Sequence, residues 1–315
     1  MVHTLRYFQK GFNYSQDGPG NRLVYHLQGC NMRCPWCANP EGIPMQAPLM
    51  QTAEKLPTYI CPHGAIDADE CLDRKFCLTC GTAEDAPSVF GFPHTGCHAQ
   101  TLLPCQTSHR NRLLVCPTKE ESTSDILRDI LSCEPMFMDG GGVTFSGGEV
   151  SLQIDAMLEL TELLHREGIH IAIETNATHI RTRELAEQVD YFICDYKHYD
   201  AGILKEITAA DEDRIRKNLK QVLAIPDLPV LIRVPLIRFF NGQEEFIPGF
   251  LDVFRELKEV RGSLQVELLS YHEYGRVKWE QCGWTYSVSD GYVTGAFVRE
   301  FEEALAQAGI EVVHT

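Results

Sequence analysis

Six short runs of strand character alternate with amphipathic helical stretches along most of the chain, and this alternation constrains the fold more than any other feature. The runs are Leu23–Leu27, Val143–Ser146, Ile169–Glu174, Tyr191–Asp195, Val230–Val234 and Leu264–Leu269. Helical patterns lie near 123–133, 151–166, 182–189, 211–224, 246–260 and 293–308. From Ser151 to Arg166, for example, Met157, Leu160, Leu163 and Leu164 share one face while Glu162 and Arg166 turn away. Strand followed by helix, repeated, places the strands in a parallel sheet with the helices outside it. Right-handed crossovers curl such a sheet toward a βα-barrel. Six units are too few for the usual eight-stranded closure, so the expected fold is α/β, a partial (β/α)6 barrel of TIM type, open on one side.

One stretch breaks the rhythm. Residues 52–118 are rich in Cys, Pro, Gly and His, and seven of the thirteen cysteines fall between 61 and 116. The expected division is 1–51 for the first strand and the loop after it, 52–118 for a small cysteine-rich insert, and 119–315 for the rest of the barrel. Charge narrows the partners: 28 basic against 44 acidic residues give −16, with no basic cluster to match a phosphate backbone, which argues against nucleic acid. No apolar run approaches the roughly eighteen residues of a membrane span, and the first residues lack the apolar core of a secretory signal. A membrane is therefore not expected, and a cytoplasmic location is. Thiols stay reduced there, so the cysteines point to metal or cluster ligation before disulfides.

Cys30, Cys34 and Cys37 form CxxxCxxC directly after the first strand. Three thiolates on one short loop can hold three corners of a 4Fe–4S cubane. The next cysteine is Cys61, so no fourth follows at short range and one iron would stay open to an outside ligand. Zinc is the other chemistry open to this spacing, although it normally takes four protein ligands, commonly from two knuckles.

The loop Gly29-Cys30-Asn31-Met32-Arg33-Cys34-Pro35-Trp36-Cys37-Ala38-Asn39-Pro40 resembles the signature of the radical SAM superfamily. The upstream Gln16-Asp17-Gly18-Pro19-Gly20-Asn21-Arg22 is similar to the DGPG segment of the activating enzymes of glycyl radical enzymes, of the pyruvate formate-lyase activase type. The resemblance implies that the open iron chelates S-adenosylmethionine (SAM), that Trp36 lies near the adenine, and that Asp17 lies where the partner's glycine loop enters. Strand ends, where βα-barrels carry their reactive groups, match in order. The resemblance assigns Gly147, Gly148 and Glu149 to the SAM ammonium, the two glycines permitting close backbone approach and the carboxylate accepting hydrogen bonds. It gives Asp195 and Lys197 to the charged end of SAM, Arg233 to its carboxylate side and His272 to its ribose. Oxygens of Glu174, Thr175 and Asp195 resemble a monovalent-cation site of the family. Taken singly, a Gly-Gly-Glu turn, an Asp–Lys pair or a strand-end histidine is commonplace; five strand ends of matching type are not. Val150 stands where the family has proline, Ala177 where it has glycine, and Arg238-Phe239 where it has Pro-Gly, departures that bear on loop geometry around SAM.

Within the insert, Cys61-Pro62-His63-Gly64-Ala65-Ile66 resembles one half of a bacterial ferredoxin motif. Ferredoxin wiring crosses between halves, which pairs Cys61 with Cys71, Cys77 and Cys80 on one auxiliary 4Fe–4S cluster. Cys97, Cys105 and Cys116 suit a second cluster, with Cys133 or His98 as fourth ligand, or equally a zinc site or buried thiols. The implied activity is reductive cleavage of SAM, the resulting 5′-deoxyadenosyl radical taking a hydrogen atom from a glycine of a partner glycyl radical enzyme, with flavodoxin or ferredoxin as electron donor. A radical SAM enzyme acting on a small molecule is the nearest alternative, and a non-catalytic iron–sulfur carrier the next.

Overall fold

The computed structural model describes residues 3–56, 65–73 and 113–315. Its nine-stranded sheet runs in the order β11-β10-β9-β8-β7-β6-β2-β1-β5. The strands are β1 (Thr4–Tyr14), β2 (Asn21–Leu27), β5 (Lys119–Ser122), β6 (Gly142–Gly147), β7 (Ile171–Thr175), β8 (Tyr191–Asp195), β9 (Val230–Leu236), β10 (Gln265–Ser270) and β11 (Glu311–Val312). From β2 through β6 to β11 every neighbouring pair is parallel. Six strands, β2 and β6–β10, are those expected from the apolar runs. The sheet is open, its edges among the described residues being β11 and β5. A partial barrel is therefore correct.

The helices are α1 (Thr123–Ser132), α2 (Ile154–Arg166), α3 (Thr182–Ala186), α4 (Ala201–Thr208), α5 (Glu212–Leu223), α6 (Ile247–Arg261), α7 (Arg276–Gln281) and α8 (Gly295–Gln307). Side-chain oxygens of Ser122, Asp200, Asp211 and Thr294 accept from backbone amides at the starts of α1, α4, α5 and α8. The short α4 and α7 were not anticipated; eight and six residues carry too little periodicity. Nor was β1, which pairs antiparallel with β2 and β5, because its second half is largely exposed and shows no apolar alternation. Two residue pairs, Met50–Gln51 (β3) and Leu114–Val115 (β4), form a separate antiparallel ribbon.

Parity along the strands sorts the two faces. Val143 and Phe145, Ile171 and Ile173, Phe192 and Cys194, Ile232 and Val234, and Val266 and Leu268 all join the large core under the helices. Their neighbours Thr144, Ser146, Glu174, Arg233 and Glu267 point into the barrel, where they bond one another or the β1–β2 turn. Ordinary βα-barrels fill this space with branched apolar side chains. Here the buried Ala172, Ile193 and Leu231 share that face with a cluster of charged and hydroxyl side chains.

Candidate active site

The loop leaving β2 is closed at its neck. Gly29 N donates to Gly42 O and Cys30 N to Ile43 O, both at 2.8 Å. Between them Cys30, Cys34 and Cys37 face the carboxyl ends of the strands. Met32 N lies 3.4 Å from Cys30 Sγ, and Cys37 N bonds Cys34 O at 3.1 Å. Burial pushes each of the three thiols up to about 12. The outgoing limb is clasped by α7, which follows the sixth barrel strand. Trp279 Nε1 donates to Cys37 O at 3.0 Å, and Lys278 Nζ reaches Asn39 Oδ1 and Glu41 Oε1, each at 2.7 Å. A Cβ on Gly275 would stand 2.3 Å from Cys37 O, so only glycine lets the chain pass that close.

Two groups from neighbouring strand ends address this loop. Asn176, past β7, donates to Asn31 Oδ1 at 2.9 Å, with Cys30 Sγ 4.0 Å away. Lys197, past β8, is buried and bonds Asp195 Oδ2 at 2.8 Å. Burial works against its ammonium, but Asp195 and the Cys34 and Cys30 sulfurs outweigh that and raise its pKa. Trp36 is buried against Phe240, ring centres 4.7 Å apart, and His272 stacks on the exposed Tyr274 at 4.3 Å. Asp17 belongs to the β1–β2 turn inside the lumen. Asn13 Nδ2 donates to its carboxylate at 2.6 Å and Thr144 Oγ1 to its carbonyl at 2.7 Å.

A family model described as the radical SAM superfamily matches residues 104–247. The choline trimethylamine-lyase activating enzyme of Oleidesulfovibrio alaskensis is 31% identical over 275 residues, 86% of this chain and 85% of that one. The (2S)-3-sulfopropanediol sulfolyase activating enzyme of Bilophila wadsworthia is 32% identical over 294 residues, 90% of each chain. The 4-hydroxyphenylacetate decarboxylase activating enzyme of Clostridioides difficile is 30% identical over 312 residues, 93% of this chain and 90% of that one. The chain belongs to the radical SAM activating enzymes of glycyl radical enzymes.

Membership of the radical SAM superfamily carries with it SAM and a 4Fe–4S cluster. The residues present fit that pair: three thiols on one closed loop, Cys34 buried and Cys30 and Cys37 half-buried, with a buried ammonium beside them to offset thiolate charge. Other residues expected at SAM have protein partners in this structure. Glu149 is fully buried, and its carboxylate accepts from Ser151 N at 3.0 Å, Ser151 Oγ, Thr175 Oγ1 at 2.6 Å and Asn176 N at 2.7 Å. Three of these bonds fall on Oε1 and one on Oε2, so the carboxylate braces the turn while Oε2 keeps a further acceptor position. Gly147 and Gly148 are needed for packing against the loop itself: a Cβ on Gly148 would lie 2.0 Å from Gly29 O.

Arg233 also has protein partners. It bonds Glu267 and Glu174, each at 2.8 Å, together with Gln16 O and Thr315 Oγ1 at 3.1 Å. Burial alone would depress the guanidinium, but Glu174 and Glu267 outweigh it and raise its pKa. The oxygens expected around a monovalent cation are committed too: Glu174 to Arg233 and Ser146, Thr175 to Glu149, Asp195 to Lys197.

In the insert, Cys71 is exposed with its Sγ 3.7 Å from Asp69 O, and Cys116 is half-buried 3.9 Å from Ala47 O. Cys61, Cys77, Cys80, Cys97 and Cys105 lie outside the described residues. Sequence reasoning missed Gln28, Glu267, Lys278 and Trp279. For Glu267 a signal existed, an acidic residue at the centre of the apolar run Val266–Leu269; for the other three there was none.

Proposed function

We propose that Cys30, Cys34 and Cys37 hold the cluster, that Lys197, steadied by Asp195, receives the charged end of SAM, and that Trp36 and His272 flank its adenosine. When bound and reduced, the cluster supplies the electron that splits SAM, and the deoxyadenosyl radical so formed takes hydrogen from a glycine of the partner enzyme. The chain's own work is to bind, orient and exclude water. Its loop buries Cys34 and half-buries Cys30 and Cys37, and a buried ammonium supplies the counter-charge. Gly147 and Gly148 bring the β6 turn against the loop, and Asp17 in the lumen marks the depth to which a partner's glycine segment reaches. An open sheet suits a polypeptide substrate.

In this reading residues 52–118 form an iron–sulfur insert, with Cys61, Cys71, Cys77 and Cys80 on one auxiliary cluster and Cys97, Cys105 and Cys116 on a second. Flavodoxin or ferredoxin delivers the electron. Such clusters need a reducing compartment, which supports the cytoplasm; among the described residues no helix is long and apolar enough to cross a membrane. A monovalent cation would lie among the oxygens of Glu174, Thr175 and Asp195, where Asp195 Oδ1 is left over from the bond to Lys197.

The observation that carries the reading is the buried Lys197 ammonium facing the half-buried Cys30 and the buried Cys34 at the carboxyl ends of parallel strands. To test it, the protein is reconstituted with iron and sulfide without oxygen, reduced with dithionite, and given SAM. Methionine and 5′-deoxyadenosine should form with the parent and not with Cys34→Ala. Their absence from a parent carrying a well-formed cluster would remove the SAM roles of Lys197, Trp36 and His272 together.

A further inference from the structure

A hydrogen-bonded chain joins the exit of the cysteine-rich stretch to the neck of the three-cysteine loop. Gln28, the residue before Gly29, is fully buried, and its amide donates to Glu41 O at 2.7 Å and Pro44 O at 2.6 Å. Its oxygen accepts from Thr118 Oγ1 at 3.1 Å. The same hydroxyl accepts from Ala47 N at 2.8 Å. Two residues earlier, Cys116 Sγ lies 3.9 Å from Ala47 O. Ala47 is thus gripped at its N–H and at its C=O by the segment that leaves the insert, and Gln28 carries that grip across both limbs of the neck.

We infer that Gln28 and Thr118 form a latch that holds the three-cysteine loop in register and is worked from the insert side. Both are positioning residues, acting through the loop. A buried amide whose partners are two carbonyls and one hydroxyl has little freedom to shift without leaving a polar group unpaired. Displacement of residues 116–118 therefore reaches Gly29 and Cys30 through three hydrogen bonds. The catalytic meaning of the latch rests on the reading of Cys30, Cys34 and Cys37 as cluster ligands; the latch itself does not.

The test uses the full chain, first metal-free and reduced, with Thr118→Val, which keeps the shape and loses the hydroxyl, and Thr118→Ser, which keeps the hydroxyl. Alkylation by iodoacetamide is followed at each cysteine by peptide mass spectrometry, with the core residue Cys194 as internal reference. Loss of the two buried hydrogen bonds of this hydroxyl should make Cys30, Cys34 and Cys37 label at least about tenfold faster in Thr118→Val. Thr118→Ser should label at the parent rate, and Cys194 should not change. After reconstitution, iron release to a chelator should follow the same order. Unchanged loop rates in Thr118→Val overturn the latch, as does acceleration of Cys194 in step with the loop. A parent that labels as described yet binds no iron overturns the ligand assignment and leaves the latch standing. Should Thr118→Val fail to fold, amide exchange in the parent decides: Gly29, Cys30 and Ala47 must exchange with one common opening free energy, and separate values overturn the latch.

Discussion

Lys197 and His198 are adjacent, and burial treats them in opposite ways. Lys197 stays charged because a carboxylate and two sulfurs surround it. Replacing it by glutamine removes a charge-assisted contact worth about 1.5–3 kcal/mol, so SAM affinity, measured per iron-loaded protein, should fall roughly 10–100-fold in an equilibrium titration. His198 is fully buried among Tyr199, Phe240, Phe246 and Phe250 and accepts from Asp200 N at 2.9 Å. Burial lowers its pKa from 6.5 to about 4. Above pH 6.5 the ring is neutral folded or unfolded and costs nothing. As pH falls from 6.5 toward 4 the unfolded chain takes up a proton that the folded chain refuses, and stability drops by up to roughly 3 kcal/mol. Urea midpoints measured at pH 7 and pH 5 should differ clearly in the parent and less in His198→Asn, which keeps an acceptor and cannot titrate.

Elements meet at the site through close backbone approaches, and two turns show opposite responses to one methyl group. After β6, Gly148 lies against Gly29 O so closely that Gly148→Ala must move either the turn or the loop. Overpacking of this kind costs about 1–3 kcal/mol, and thermal unfolding should show the loss before any cluster is added. After β7, Ala177 adopts a left-handed conformation, φ 55°, at the position where the family resemblance led us to expect glycine. Ala177→Gly relieves strain of about 1 kcal/mol against the loss of one buried methyl, so the melting temperature should rise or hold, never fall as it does for Gly148→Ala. The departure noted at Ala177 is thus a small store of strain beside Thr175 and Asn176, both of which contact Glu149.

For the whole molecule the decisive feature is the charged cluster in the lumen. Glu174 from β7, Arg233 from β9, Glu267 from β10 and the β1–β2 turn at Gln16 and Asp17 meet there, with Arg233 at the centre. Neutralising one carboxylate leaves the guanidinium under-compensated. Glu267→Gln should therefore loosen the turn that carries Asp17, seen as faster amide exchange over residues 14–20. Cleavage of SAM in the absence of a partner should stay near the parent rate, while glycyl radical formed on the partner, read by EPR, should drop about tenfold for a buried charged contact. A fall in both by the same factor would place Glu267 in SAM binding instead.

Much of this was legible in the chain. The strand–helix rhythm specified a parallel sheet because a parallel crossover needs a helix, and CxxxCxxC with DGPG pointed to the family because ligand spacing is local. The charged cluster in the lumen shows as polar residues inside apolar runs, Glu174 after Ile173 and Arg233 between Ile232 and Val234, whereas Tyr191-Phe192-Ile193-Cys194 runs apolar as a strand buried on both faces does. Chemistry alone, however, cannot say which partner a polar side chain will take. Glu149 and Arg233 have the right types for SAM, and no local pattern names the protein donors and acceptors that folding also brings to them. Gln28, Thr118, Lys278 and Trp279 carry no local signature; their roles exist only because residues some 90 or 240 positions apart meet at one loop. Spacing along the chain sets what a short segment can bind, whereas hydrogen-bond satisfaction in a buried site is settled by everything packed around it.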